Sequence, residues 1–357
     1  MIPDPGSVRR ILVRANNWIG DVVMISPAIR ALRERFSGAE IAILAKPWVL
    51  DALSGNPYFD RLLPYEVPGR HGGPLGRIRL AAELRREKFD IAVLFQKAFE
   101  AAFLAAAARI PTRIGYDTDR RGLLLTDPIP WRPECEVRHH VDVFLELAIA
   151  CGCTPASSEP FFYLADQDRA WAEAYLEEAG SPPEAELFAI HAGASKPPRA
   201  WHMARFAELA RILRAEQGLV PLVLGDGSDA EAARAIAAAV PGTIVAAGAT
   251  SVRQMAALLA RARIFAGNDS GPMHIAAPLG VPGVAIFGPG LPEKTAPRSA
   301  RAPFEAVTVR AACSPCRQNF FRECEAAPSG KPWCLERIEV ADVAAACRRV
   351  LGASARA

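Results

Sequence analysis

Short apolar runs alternate with stretches of helical periodicity along this chain, in one series and then in a second, and this is the feature that most limits its fold. Residues 11–13, 41–44, 62–63 and 91–95 form the first set of runs. After the first of them, Val22, Ile25, Ile29, Leu32 and Phe36 recur at helical spacing. Strands of that length separated by helices imply a parallel sheet. The Gly- and Pro-rich stretch 68–76 interrupts this series and reads as a mobile loop near an edge. Beyond residues 113–116 the pattern loosens through Pro128 and Pro130, a helix is expected from about His140 to Cys151, and 153–160 reads as a linker. The second series begins with a helix near 170–178 and continues with strands at 187–190, 220–224, 244–245, 264–265 and 284–287. The expected fold class is therefore α/β, with two consecutive doubly wound halves. Ligands of such sheets bind at the carboxyl ends of the strands, which places the expected active site in a cleft between the halves.

Length agrees, since 357 residues exceed what one core usually supports. A net charge of +3 is too mild to argue for nucleic acid, though not for a local basic patch facing anionic lipid headgroups. The longest small-apolar run, 101–108, falls far short of the roughly twenty residues of a membrane span, so membrane contact is expected to be peripheral only. No export signal is visible, and the eight cysteines read as reduced thiols in a cytoplasmic protein.

Three strand-to-helix joints carry candidate chemistry. The stretch 263–277 passes from an apolar run into Asn268, Asp269, Ser270, Gly271 and Pro272 and then a helix, the form of a phosphate seat. Gly271 admits a ligand to the backbone, Ser270 offers a hydroxyl, and Pro272 suits an early helical position. Asp269 would repel a phosphate, so it either caps the helix or accepts hydrogen bonds from the hydroxyls of a sugar carried by that phosphate. The bland alternative is a plain strand–turn–helix joint. Asp21, just past the first strand, is a candidate general base or else a first-turn acid favoured by the helix dipole. The loop 191–201 is either an anion-binding turn, with Gly193, Ser195 and a charge from Lys196 or Arg199, or a solvated basic loop.

Other signals are weaker. Residues 225–230 match G-x-G-x-x-A but do not follow the first strand of their half, and no acid stands after the next strand. They read as a turn lining a nucleoside pocket and not as a dinucleotide fingerprint. Cys313 and Cys316 form a C-x-x-C pair that could be half of a zinc site, but Cys324 and Cys334 have nine residues between them where two to four are usual, so reduced thiols in a long loop are the favoured reading and structural zinc the alternative. His139 and His140 lack a ligand pattern and read as surface or packing residues.

Residues 17–24 (Asn-Trp-Ile-Gly-Asp-Val-Val-Met), the Gly-Ala loop leading to Trp201, and 268–277 followed by Phe287-Gly288-Pro289 resemble the ADP-heptose:lipopolysaccharide heptosyltransferases over nearly the whole chain, the heptosyltransferase II branch more than its sister. The resemblance implies a GT-B fold of two Rossmann-like domains facing a cleft. Residues 1–160 would bind the acceptor, 161–339 the nucleotide sugar, and a final helix in 340–357 would cross back to the first domain. It also implies an inverting glycosyltransferase that moves a heptose from ADP-L-glycero-D-manno-heptose to the inner-core oligosaccharide of a lipopolysaccharide precursor. That lipid A-core acceptor would lie at the inner face of the cytoplasmic membrane, with no cofactor, no metal and no nucleic acid involved. Asp21 would be the base and Asp269 would bind heptose hydroxyls. Ser270, Gly271 and His274 would hold the donor, Ala194 and Ser195 would line the diphosphate, and Glu231 and Thr250 would fall near the nucleoside. The family's Lys two residues before the Trp is Arg199 here, which position favours for neutralising the diphosphate, with Lys196 second. Alternatives are another GT-B transferase, a nucleotide-sugar epimerase, or a binding protein without catalysis.

Overall fold

Both series of apolar runs fold into parallel sheets. The computed structural model describes residues 4–314, 316 and 318–354, and the chain divides into two units, Met1–Tyr163 and Leu164–Ala357. In the first unit the strands are β1 (Arg10–Arg14), β2 (Glu40–Ala45), β3 (Arg61–Pro64), β4 (Ile91–Leu94), β5 (Thr112–Tyr116) and β6 (Asp127–Ile129), in the spatial order β3-β2-β1-β4-β5-β6. Every pair is parallel, with Leu12 opposite Ala42 on one side and Ala92 on the other.

Alternate residues of the central strands feed two cores. Ile11, Val13, Ile41, Ile43, Ile91 and Val93 pack under the helices Ile19–Met24, Ser26–Arg35 and His140–Ala150. Leu12, Ala42, Leu44, Ala92 and Leu94 pack under Gly73–Arg86 and Phe99–Ala107. Burial on both faces is why these strands read as unbroken apolar runs.

Two expectations change here. The stretch 68–76 is not wholly loop, because the helix Gly73–Arg86 begins inside it. Pro74 is pre-set for a first turn, and Gly76 has to be glycine because a Cβ there would lie 2.3 Å from the backbone carbon of His71. The loosened region contains β6, a three-residue edge strand whose Pro128 is tolerated because edges need fewer ladder hydrogen bonds.

In the second unit the strands are β7 (Leu187–His191), β8 (Val220–Val223), β9 (Ile244–Val245), β10 (Ala262–Asn268), β11 (Gly283–Phe287) and β12 (Phe304–Thr308), ordered β12-β11-β10-β7-β8-β9. This repeats the first unit's order, counted within the unit. β12, which pairs outside β11, shows no buried residue, so it gave no apolar run to read.

The final helix, Val340–Ser354, places Val343, Ala346, Cys347 and Val350 in the second unit's own core. It packs on the helix Met203–Gln217 and on β10, β11 and β12. Its apolar face is thus packed within the second unit. Among the described residues no helix is long and apolar enough to cross a membrane.

In an open sheet of this order the neighbouring strands from the two halves leave the sheet in opposite directions, and side chains at their carboxyl ends face open space. That point falls between β1 and β4 in the first unit and between β7 and β10 in the second.

Candidate active site

In the first unit, β1 ends beneath a turn that opens the helix Ile19–Met24. The N-cap is Trp18 and no side chain caps the helix, so Asp21 is not spent on capping. Asn16 Nδ2 donates to Asp21 Oδ2 at 3.1 Å. His140, from the helix His140–Ala150, brings Nδ1 to 3.8 Å from Asp21 Oδ1. That oxygen accepts no hydrogen bond among the described residues, so the carboxylate is oriented by one oxygen and open at the other. His140, read from sequence as surface or packing, therefore stands beside the candidate base.

Arg14 lies buried under this turn and donates to Asn17 Oδ1 at 3.1 Å and to the Leu44 carbonyl at 3.4 Å. Burial pushes its pKa down to about 10, which leaves it charged at neutral pH. Nothing at the sequence level separates Arg14 from an ordinary strand-end residue. Trp18 is open to solvent, and Trp48 Nε1 donates to the Asn17 carbonyl at 3.1 Å. A groove of about 360 Å³ runs between Trp48 and Arg70 past Glu66 and Val67.

In the second unit the polar side chains at the strand ends are bonded to one another. Asn268, fully buried at the end of β10, donates to the carbonyls of Ala192 and Gly193 at 2.7 and 3.0 Å and accepts from Trp201 N at 2.9 Å. One amide thus fixes both ends of the 191–201 loop to β10. Trp201 anchors the loop further through Nε1 to the Ile338 carbonyl at 3.0 Å.

Arg199 pairs with the Asp269 carboxylate, and its Nη2 also donates to the Asp269 carbonyl at 3.2 Å. Two residues expected to act separately are therefore paired with each other. The N-cap of the following helix, Gly271–Ala276, is Ser270.

Ser270 Oγ lies 3.0 Å from His191 Nδ1 and 2.9 Å from the Asn268 carbonyl oxygen, and His191 Nε2 lies 3.4 Å from Asp229 Oδ2. The row Ser270–His191–Asp229 links the strand-end joints of β10, β7 and β8. Its space is made by glycines: a Cβ on Gly193 would lie 1.9 Å from Asp229 Oδ1, and one on Gly225 2.4 Å from Asp229 Oδ2. Burial alone would raise the Asp229 pKa, but the hydrogen bond and charge of His191 outweigh it and hold the carboxyl below its ordinary value. Sequence reading placed neither His191 nor Asp229 among the functional residues, although both lay in the stretches it singled out.

The remaining candidates are more dispersed. Ala194 is half-buried, while Ser195 and Lys196 are exposed in the same loop, with Lys196 Nζ 5.5 Å from the Phe320 ring. A further cation, Lys331, donates to the Pro197 carbonyl at 3.2 Å, and burial lowers its pKa. Gly271 and buried His274 lie on the short helix after Ser270. Glu231 is exposed on the helix Ala230–Ala239, and Thr250 Oγ1 donates to the Ala246 carbonyl at 3.4 Å. Neither touches the Arg199–Asp269 pair through its side chain among the described residues.

Cys313 is exposed, Cys316 and Cys324 are half-buried, and Cys334 is buried with its pKa pushed up to about 11. Pro315 and Arg317, beside the C-x-x-C pair, lie outside the described residues. Among the described residues no group of His, Cys, Asp or Glu is disposed to hold a metal ion.

Two Rossmann-type units with polar strand-end sites have the architecture of the GT-B glycosyltransferases. The sequence pattern of glycosyltransferase family 9 (heptosyltransferase) matches residues 77–326. The lipopolysaccharide heptosyltransferase 2 of Salmonella typhimurium is 30% identical over 310 residues, covering 82% of this chain and 86% of that protein. The Escherichia coli enzyme of the same name is 29% identical over 310 residues with the same coverage. The solved structure of E. coli ADP-heptose LPS heptosyltransferase II superposes with a TM-score of 0.79 at 25% identity, covering 96% of this chain and 99% of that one. A family 9 glycosyltransferase from Veillonella parvula shares the fold with a TM-score of 0.84 at 23% identity, over 99% of both chains. This chain belongs to glycosyltransferase family 9, the heptosyltransferases.

Proposed function

We propose that the protein transfers a heptose from ADP-L-glycero-D-manno-heptose to the inner-core oligosaccharide of a lipopolysaccharide precursor, with inversion at the anomeric carbon. The observation that carries this reading is Asp21, held through one carboxylate oxygen by Asn16 and open at the other. A general base needs that arrangement. The relatives named for lipopolysaccharide heptosyltransfer support the choice of sugar and acceptor.

In the reaction, Asp21 Oδ1 takes the proton of an acceptor hydroxyl as its oxygen attacks the anomeric carbon of the donor. The bond from that carbon to the β-phosphate oxygen breaks and ADP leaves with the electron pair. His140 steadies the protonated base. Negative charge on the departing diphosphate is met by Arg199, by the Ser270 hydroxyl and by the loop carrying Ala194, Ser195 and Lys196, while Asp269 accepts hydrogen bonds from heptose hydroxyls. Charge stabilisation by groups already fixed in place costs no reorganisation at the moment of reaction. Arg199 is shared between Asp269 and the diphosphate, so sugar and leaving group are sensed by one ion pair. Glu231 and Thr250 are assigned to the nucleoside end, and membrane contact is peripheral.

The test incubates the protein with ADP-heptose and a heptose-deficient core acceptor and follows product mass and ADP release. A gain of one heptose with stoichiometric ADP is expected. ADP release without a heavier acceptor, or no release, overturns the reading.

A further inference from the structure

β1 is apolar from Ile11 to Val13 and then ends on Arg14, which is only 2% exposed. A cation taken out of water with no anion against it is costly to keep. Among the described residues no carboxylate stands within ion-pair distance of Arg14, and the acid whose charge reaches it, Glu100, is itself paired with Arg77. An apolar residue would suit the end of a buried parallel strand better, so the guanidinium has to serve something local.

It serves the turn that follows β1. Nη1 donates to the Ala15 carbonyl and, at 3.4 Å, to the Leu44 carbonyl of β2, while Nη2 donates to Asn17 Oδ1 at 3.1 Å. The main chain is fixed beside it, with Ala15 N–H donating to the Leu44 carbonyl and Phe95 N–H to the Arg14 carbonyl, both at 3.1 Å. Trp48 Nε1 holds the Asn17 carbonyl. Residue 16 thus lies between two neighbours that are both tied down. Asn16 is buried, and its amide makes one bond among the described residues, from Nδ2 to Asp21 Oδ2, while Oδ1 has no partner. An amide with no second anchor takes its direction from the backbone that carries it, and Asp21 takes its direction from that amide.

We infer that Arg14 is the positioning residue of the base: its planar fork pins Ala15 and Asn17, and the pinned turn aims Asn16, and through it Asp21, at the acceptor hydroxyl. The inference rests on the reading of Asp21 as the base. Geometry matters here more than charge, because two separate nitrogens of one rigid group reach acceptors two residues apart. A lysine ammonium is a point charge on a flexible stem and cannot reproduce that.

The test is a double-mutant cycle between Arg14→Lys and Asp21→Asn, read as single-turnover rates at saturating donor and acceptor, with a donor titration and a thermal melt of each protein. Arg14→Lys keeps the cation and is expected to transfer at least about tenfold more slowly, since misplacing a catalytic group by about 1 Å can cost about 10² in rate. Its affinity for ADP-heptose should match the wild type. In the Asp21→Asn background the same substitution should slow transfer no further, because no base is left to aim. Asn17→Ala removes only the acceptor of Nη2 and keeps the inference testable if Arg14→Lys does not fold. It should slow transfer about fivefold, the equivalent of roughly one hydrogen bond, and again only while Asp21 is present. Wild-type rates in Arg14→Lys or in Asn17→Ala would overturn the inference, as would an equal loss in both backgrounds, which is what a purely structural Arg14 would give. A wild-type rate in Asp21→Asn alone would instead overturn the reading of the base and the inference with it, so the two failures appear in different arms of the cycle.

Discussion

At the carboxyl ends of its strands the second unit buries polar side chains and bonds them to one another, whereas at the end of β1 the first unit leaves Trp18 open to solvent and holds Asp21 through one carboxylate oxygen. The strand order is the same, so the difference lies in the loops and first helical turns. A nucleoside diphosphate is small, charged and invariant, and a site for it gains by being assembled in advance. Under the proposed function the first unit takes a large oligosaccharide acceptor, and a site for it gains from being open. One scaffold supports both because each turn that follows a strand can vary without disturbing the sheet.

The largest effect should come from the open carboxylate. Asp21→Asn is expected to slow transfer by roughly 10² or more, because only proton removal is lost, while ADP affinity stays as in the wild type. Single-turnover rates and ADP titration measure the two separately. A parallel fall in ADP affinity would break the division of labour between the units.

Next is the ion pair. Arg199→Ala should lower turnover at least about tenfold, roughly 1.4 kcal/mol of barrier, with Arg199→Lys recovering much of it. Lys196→Ala should do little, since Lys196 is exposed and faces Phe320. If Lys196→Ala carries the loss instead, Lys196 takes the role.

How much of this was legible follows the same contrast. Buried parallel strands announce themselves as apolar runs, so β1, β2, β4, β7, β8 and β11 could be read directly, the edge strands β3 and β9 showed as runs of only two residues, and β6 and β12, edge strands without a buried residue, showed as none. Asp21, Arg199, Asp269 and Ser270 stood in recognisable strand-to-helix joints. The Arg199–Asp269 pair and the Ser270–His191–Asp229 row did not show, since each links residues on different strands that only the sheet order brings together. The final helix showed its apolar face but not what that face covers.

A smaller effect tests whether the second unit is fixed in advance. Gly193 has no positive φ, so Gly193→Ala costs only the collision of its Cβ with the Asp229 carboxylate. That carboxylate is held by His191 and by the Asp226 N–H at 3.1 Å, so it cannot simply swing away. Donor KM should rise about fivefold, the equivalent of roughly one hydrogen bond, with turnover on saturating donor little changed. Adding Asp229→Ala should relieve the clash without restoring the wild-type KM. An unchanged KM in Gly193→Ala would mean that this part of the site adapts to the donor.

The smallest effect asks whether the same wiring contributes to stability. The Asp229 carboxyl is held below its ordinary pKa in the folded chain by His191, against the opposing effect of burial. A carboxyl depressed in this way stabilises the folded state fully above its unfolded value, near pH 4, and loses that contribution as pH falls through the lower folded value. Asp229→Asn keeps the shape between Gly193 and Gly225 but not the charge. The variant should therefore melt below the wild type at pH 6, by about 2–4 °C if the pair contributes about 1 kcal/mol, and the gap should narrow as pH drops below about 4. Thermal melts of both proteins across that range measure it. A gap that stays constant or widens in acid would show that Asp229 acts through packing alone, and the second unit's site would then differ from the first in shape but not in electrostatics.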